Sequence, residues 1–191
     1  MPLYAGVWYA EWPVSARVGA DDVHRGLIVL PAVLDRLCET AAGAPVTWEH
    51  SAMATIVQAT PGSERSAALA HGQVAGTVKA AWVEARTGWA HAVFEIADTL
   101  PMVCALLDSK LLRHLSATHV VGQSELIELS LTNTPARPGC NIVGRVPSIA
   151  EYIAIHAPER KAIPYHVGDN QDRDGGGCGC GGGDGGRQAN H

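Results

Sequence analysis

Ser116, Ser130, Glu128 and a proline-framed loop lie close together between Leu111 and Cys140, in LLRHLSATHVVGQSELIELSLTNTPARPGC. A serine hydroxyl becomes a nucleophile only when a base takes its proton, and the base works best when a carboxylate orients it. Ser116 and Ser130 are the candidate nucleophiles, and Glu128 is the candidate carboxylate. The run Pro135-Ala136-Arg137-Pro138-Gly139 predicts an irregular loop, because proline withholds backbone pairing partners. Backbone N–H groups in such a loop suit a developing oxyanion. A histidine must link serine to carboxylate. The best placed is His50, which follows an apolar run in PVTWEHS; His71, His91, His114 and His119 compete.

Two short strands must position these groups. His114–Val121 and Leu126–Thr132 show the period of two that places alternate side chains on one face, with Gly122 in the turn between them. His114, Ser116 and Thr118 share one side of the first strand, which puts His119 on the face opposite Ser116. In the second strand Ile127, Leu129 and Leu131 are expected on one face, and Leu126, Glu128, Ser130 and Thr132 on the other. A carboxylate set between Ile127 and Leu129 is partly desolvated, which costs free energy unless it is paired. Each of these residues also has a plain structural reading. Ser116 can be a strand serine, His50 a buried histidine bonded to a carbonyl, and Glu128 a solvent-facing strand residue.

The remaining chain supplies a core and a frame. The sequence has 191 residues, 47% of them hydrophobic, with a formal net charge of −5. That suits one domain with its own core, and the absence of a basic run argues against nucleic acid as a partner. No apolar stretch reaches the length of a membrane span, and the N-terminus lacks the pattern of a secretory signal. The five cysteines are therefore expected as free thiols. The tryptophans at 8, 12, 48, 82 and 89 are expected in the core or on a cleft rim.

In order, the expected elements are a strand at Leu3–Trp12, a loop from Ser15 to Val29, and a helix from Pro31 closed by Gly43. The histidine strand follows, then an exposed loop over Ala59–Gly72 and a hairpin of Val74–Val83 with Trp89–Ile96. A helix capped by Asp98 is expected to run to Arg113. After the proline loop come a strand at Asn141–Val146 and a helix over Ile149–His156. From Gly168 the chain is rich in Gly and Asp and too poor in apolar residues to order itself. The reading is therefore a single domain over 1–167 with a tail or linker over 168–191. Its fold class is α+β, mostly β with surrounding helices, on a largely antiparallel, barrel-like sheet. Cys178-Gly179-Cys180 in the tail lacks a second ligand pair, so neither a metal nor another cofactor is expected. Cys140 suits a packed strand start better than a nucleophile.

The ordered set VTWEHS, AGTV, LRHLSATHV and IELSLTNTPARPG resembles the capsid maturation protease family, which joins herpesvirus assemblins with the prohead serine proteases of tailed phages. The resemblance spans roughly residues 3 to 157, and it lies in the order and spacing of short motifs. It implies a single-domain, barrel-like assemblin or prohead protease fold and a serine endopeptidase. His50 would be the base, Ser116 the nucleophile and Glu128 the third member, a carboxylate as in the phage branch. Ser130 would be a supporting residue. Ala136 and Arg137 match the loop whose backbone forms the oxyanion hole; Ala136 stands where assemblins carry the first of two arginines. The resemblance further implies a scaffold protein and the enzyme's own precursor as substrates, homodimerisation, and work inside the procapsid, in the host nucleus if the virus is herpesvirus-like. Assemblins cut after Ala, which makes Ala189-Asn190 a conceivable self-cleavage site. Two other readings stand beside this one. The first is a non-catalytic capsid-assembly module that keeps the fold. The second is a hydrolase of another class such as an esterase, against which the lack of a Gly-x-Ser-x-Gly elbow argues.

Overall fold

Short apolar runs bounded by Gly, Pro and polar turns give seven strands and five helices among the described residues. The structure is a computed structural model that describes residues 1–10, 29, 31–120, 123–137 and 139–157. The described residues fall within one unit, Met1–Arg160. In chain order the elements are β1 (Leu3–Tyr9), α1 (Pro31–Thr40), β2 (Pro45–Trp48), α2 (Met53–Ile56), α3 (Glu64–His71), β3 (Val74–Val83), β4 (Ala90–Ile96), α4 (Pro101–Asp108), β5 (His114–His119), β6 (Leu126–Thr132), β7 (Ile142–Val146) and α5 (Ile149–His156). The strands form one mixed sheet in the order β5-β6-β2-β3-β4-β1-β7. Five of its neighbouring pairs are antiparallel, and β2 runs parallel to β6. The sheet curls into a half-barrel until its ends touch. His114 bridges Asn141, and the Ile142 N–H donates to the Arg113 carbonyl at 2.7 Å.

The α+β class with helices around a curled sheet is therefore observed. The largely antiparallel expectation holds for five of the six neighbouring pairs, and the β2–β6 pair is parallel. That pair has a long crossover between its strands, so it could not form a hairpin.

Alternation along the strands sends one set of side chains into the main core. Tyr4, Leu37, Phe94, Ile96, Leu115, Leu129 and Leu131 are all buried there. A second cluster forms on the opposite face, where Tyr152, Ile149 and Ile153 of α5 pack on Ala5, Trp82 and Val93. A third joins Ile127 to Ala52, Ile56 and Ala68, which fastens α2 and α3 over β6. Two glycines permit close strand contact. A Cβ on Gly76 would collide with the Glu95 carbonyl oxygen; one on Gly6 would lie 2.7 Å from the Asn141 carbonyl oxygen and 2.8 Å from Leu115 Cδ1.

Several local expectations are corrected. Ala59–Gly72 is not an exposed loop, since its alanine-rich half forms α3 and buries Ala68 against Ile127. The next helix starts at Pro101 with Leu100 at its cap, and Asp98 instead faces the Met1 amino group at 3.2 Å. It ends at Asp108 rather than Arg113, because Lys110 takes a left-handed φ of 57° and the chain turns toward β5. The first strand of the site stops at His119. A bulge breaks the register between Thr118/His119 and Glu128/Leu126, so Ile127 is the extra residue. Leu126 consequently joins Leu129 and Leu131 in the main core, while Ile127 joins the helical cluster on the other side. The expected assignment of those two residues is reversed, because one inserted residue flips the alternation beyond it. Trp8 and Trp82 are buried, whereas Trp89 is exposed. Cys104 and Cys140 are free thiols. Trp12, most of the 15–29 loop, Gly122, Pro138 and the proposed 168–191 tail with Cys178, Cys180, Ala189 and Asn190 lie outside the described residues. No helix among the described residues is long and apolar enough to cross a membrane.

Candidate active site

The parallel pairing of β2 with β6 aligns Thr47 with Ser130 and Trp48 with Leu131. The chain then leaves the sheet through two consecutive left-handed residues, Glu49 at φ 45° and His50 at φ 53°. Non-glycine residues rarely adopt this region, and each instance costs of order 1 kcal/mol or more. Local bonds hold them there. The Glu49 N–H donates to the Leu131 carbonyl at 3.0 Å. The His50 N–H donates to Ser130 Oγ at 2.7 Å. The Glu49 carboxylate accepts from the Thr132 hydroxyl at 2.8 Å and the Asn133 N–H at 3.3 Å. The double turn folds the His50 ring back over the polar face of β6.

There it meets Glu128, whose side chain is fully buried. His50 Nδ1 lies 2.9 Å from Glu128 Oε1. The Thr47 hydroxyl donates to Oε2 at 2.7 Å and the Thr118 hydroxyl to Oε1 at 3.0 Å. Burial pushes the Glu128 pKa up, but bonds from His50, Thr47 and Thr118 outweigh it, and the carboxyl is held below its ordinary value. An ionised carboxylate can only accept hydrogen bonds, so Nδ1 of His50 is the donor. In the neutral ring the lone pair is then on Nε2, the tautomer a general base requires. The Thr118 hydroxyl also lies 3.2 Å from Nδ1.

Ser116 sits on the same strand face. Its Cα partner across the ladder is Ser130, and Thr118 pairs with Glu128 one step along. Same-face neighbours on a strand are about 7 Å apart, so Ser116 is one side-chain step from a residue that touches both His50 and Glu128. Ser116 is buried. Among the described residues its hydroxyl makes no hydrogen bond to His50. Catalytic bonds are often open in the free enzyme and tighten around substrate.

Ala136 and Arg137 line, together with Ser116, a cavity of about 50 Å³ whose other walls include Trp8, Tyr9 and Cys140. The Arg137 guanidinium stacks 4.1 Å over the Tyr9 ring. Its side chain thereby anchors the loop against β1. Cys140 is buried with its thiol toward the Trp8 carbonyl at 3.2 Å, and burial raises its pKa. Its burial and raised pKa suit packing at the strand start better than service as a thiolate nucleophile.

The competing histidines are dispersed. His91 is buried beside Tyr152, with its Nδ1 3.2 Å from the phenol oxygen. His114 Nδ1 faces the Cys140 carbonyl at 3.0 Å, and His71 ends α3. His119, expected opposite Ser116, lines the same cavity.

The structure thus joins His50 to Glu128, sets Ser116 on their strand face and brings Ala136 and Arg137 to the Ser116 cavity. Sequence reasoning missed Thr47 as a carboxylate donor. Its position three residues before His50 was the only local signal, and the β2–β6 pairing that gives it meaning is long-range. Comparison with protein-family models, curated proteins and solved structures finds no match to this chain.

Proposed function

We propose that this chain is a serine endopeptidase of the capsid maturation type, with an assemblin or prohead protease fold. The observation that carries the reading is the buried Glu128 carboxylate, saturated by Thr47, Thr118 and His50, on the strand face that bears Ser116. A charge buried at such cost is best explained by a histidine that must become cationic in each turnover.

His50 Nε2 removes the Ser116 proton as Oγ attacks the scissile carbonyl. Glu128 keeps the imidazole oriented and stabilises the imidazolium. The Ala136-Arg137 backbone receives the oxyanion. The imidazolium then gives its proton to the leaving amine, leaving an acyl-enzyme. Water, deprotonated by His50, attacks the ester, and Ser116 recovers its proton. No metal or cofactor is needed for these steps. The substrates are the internal scaffold protein and the enzyme's own precursor, with Ala189-Asn190 as a candidate release point. The enzyme acts as a homodimer within the procapsid, with neither nucleic acid nor membrane as partner.

A second reading, a non-catalytic assembly module of the same fold, draws on the missing Ser116–His50 hydrogen bond. An alkyl phosphonate separates them. Labelling of Ser116, lost in Ser116→Ala and His50→Ala, supports the enzyme; an unlabelled wild-type chain supports the assembly module. Mass spectrometry of a longer precursor then tests the substrate class. Processing that persists in Ser116→Ala would remove the assignment.

A further inference from the structure

Among the described residues the two edges of the sheet meet at a short seam, where His114 bridges Asn141. Beyond it β7 follows β1, pairing Gly144 with Ala5 and Val146 with Leu3, while β5 follows β6. A groove of about 280 Å³ lies at this seam. Leu107, Leu112 and Ile142 supply apolar walls, and Lys110, Arg113 and His114 supply nitrogen-bearing side chains. Lys110 and Arg113 are exposed, and neither forms an ion pair with a described residue. The carboxylate at the end of α4, Asp108, does not line the groove; it is held by Arg145 at 2.8 Å and by the Tyr4 hydroxyl at 3.0 Å. The groove therefore pairs apolar walls with an uncompensated positive bank. It also starts at His114, which shares a strand face with Ser116 one side-chain step away.

We propose that this groove is a specificity subsite that takes an acidic side chain of the polypeptide substrate, roughly two to four residues from the scissile bond at about 3.3 Å per extended residue. The placement relative to the bond rests on the proteolytic reading; the preference for an acidic, partly apolar peptide rests on the groove alone. The chain carries a formal net charge of −5, so a local positive bank is needed to draw an acidic segment against the overall field.

Two fluorescein-labelled peptides of Ala and Leu, one carrying two Asp and the other Asn in their place, are titrated into the full chain and followed by anisotropy. The acidic peptide should bind about fivefold to tenfold more tightly at low salt, the effect of one or two exposed charge pairs. The difference should vanish in about 1 M salt, where screening acts over about 3 Å. It should also vanish in Lys110→Gln/Arg113→Gln and reverse in Lys110→Glu/Arg113→Glu. Equal affinity of the wild-type chain for both peptides overturns the proposal, as does a preference that survives both double variants. Circular dichroism melts establish that each variant is folded, and the neutralised pair decides if the reversed pair is not. Phosphonate labelling of Ser116, measured in parallel, should be unchanged in the double variants. Loss of labelling in the wild type would end the proteolytic reading while leaving the binding result intact.

Discussion

Glu128 is the residue on which the site turns. It keeps its charge in full burial only because three donors meet it, and each can be removed singly. Under the proposed proteolysis, Glu128→Gln should leave the fold intact and lower kcat by about 10³- to 10⁴-fold, because an amide that donates to Nδ1 selects the wrong tautomer. Steady-state kinetics on a cleaved peptide reads this loss. Thr47→Val should cost about 1–3 kcal/mol by leaving a buried carboxylate oxygen unpaired, measured by urea unfolding. The pH dependence follows in sign. Glu128 has a folded pKa below its unfolded one, so its stabilisation is present above the ordinary carboxylate range and is lost as pH falls through the folded value. Denaturation midpoints should therefore decline on acidification below about pH 4, and less steeply in Glu128→Gln.

At the scale of elements, the bulge in β6 and the glycines of β1 and β3 do the positioning. The bulge lets Ile127 hold α2 and α3 while Glu128 remains on the face of Ser130. The glycine in β1 sets the approach of its strand to β5. Gly6→Ala would force a methyl group between the Asn141 carbonyl and Leu115. It should destabilise the chain by about 1–3 kcal/mol and open the seam beside Ser116. A lowered melting temperature with faster amide exchange at Leu115 and Ile142 is the expected outcome. Exchange unchanged at those two amides would mean that the seam does not depend on this contact.

For the whole molecule, the second cluster couples α5 to the sheet through titratable groups. His91 is buried against Tyr152 and stacks at 5.1 Å on His156, with Glu84 Oε2 at 3.8 Å from its Nε2. Glu84 itself accepts from the Thr87 hydroxyl and lies 3.7 Å from Arg86. Burial first, then the neighbouring His156, lowers the His91 pKa against the raising effect of Glu84. Folding therefore disfavours the protonated ring, and stability should begin to fall as pH drops below the ordinary histidine value of about 6.5. This loss precedes the one from Glu128. Thermal melts between about pH 7 and 5 should show the first decline in the wild type and a flatter profile in His91→Gln.

Much of this molecule could be read from local pattern. The β3–β4 hairpin, β6, α1 and α5 follow from alternation, from a helical apolar stripe and from Pro and Gly at their ends, because these signals act within a few residues. The pairing of Ser116, His50 and Glu128 as candidates likewise came from residue types and motif order. Other features depended on contacts remote in sequence. α3 exists as a helix because Ala68 packs on Ile127. The faces of Leu126 and Ile127 were decided by one bulged residue in the β5–β6 register. The parallel β2–β6 pair brought Thr47 to Glu128, 81 positions away, and the closing seam made the basic groove. Residue chemistry and short-range periodicity were the sequence's own determination. Which face, which neighbour and which cavity each group received was settled by strand pairing across the sheet, where a shift of one residue exchanges core for surface.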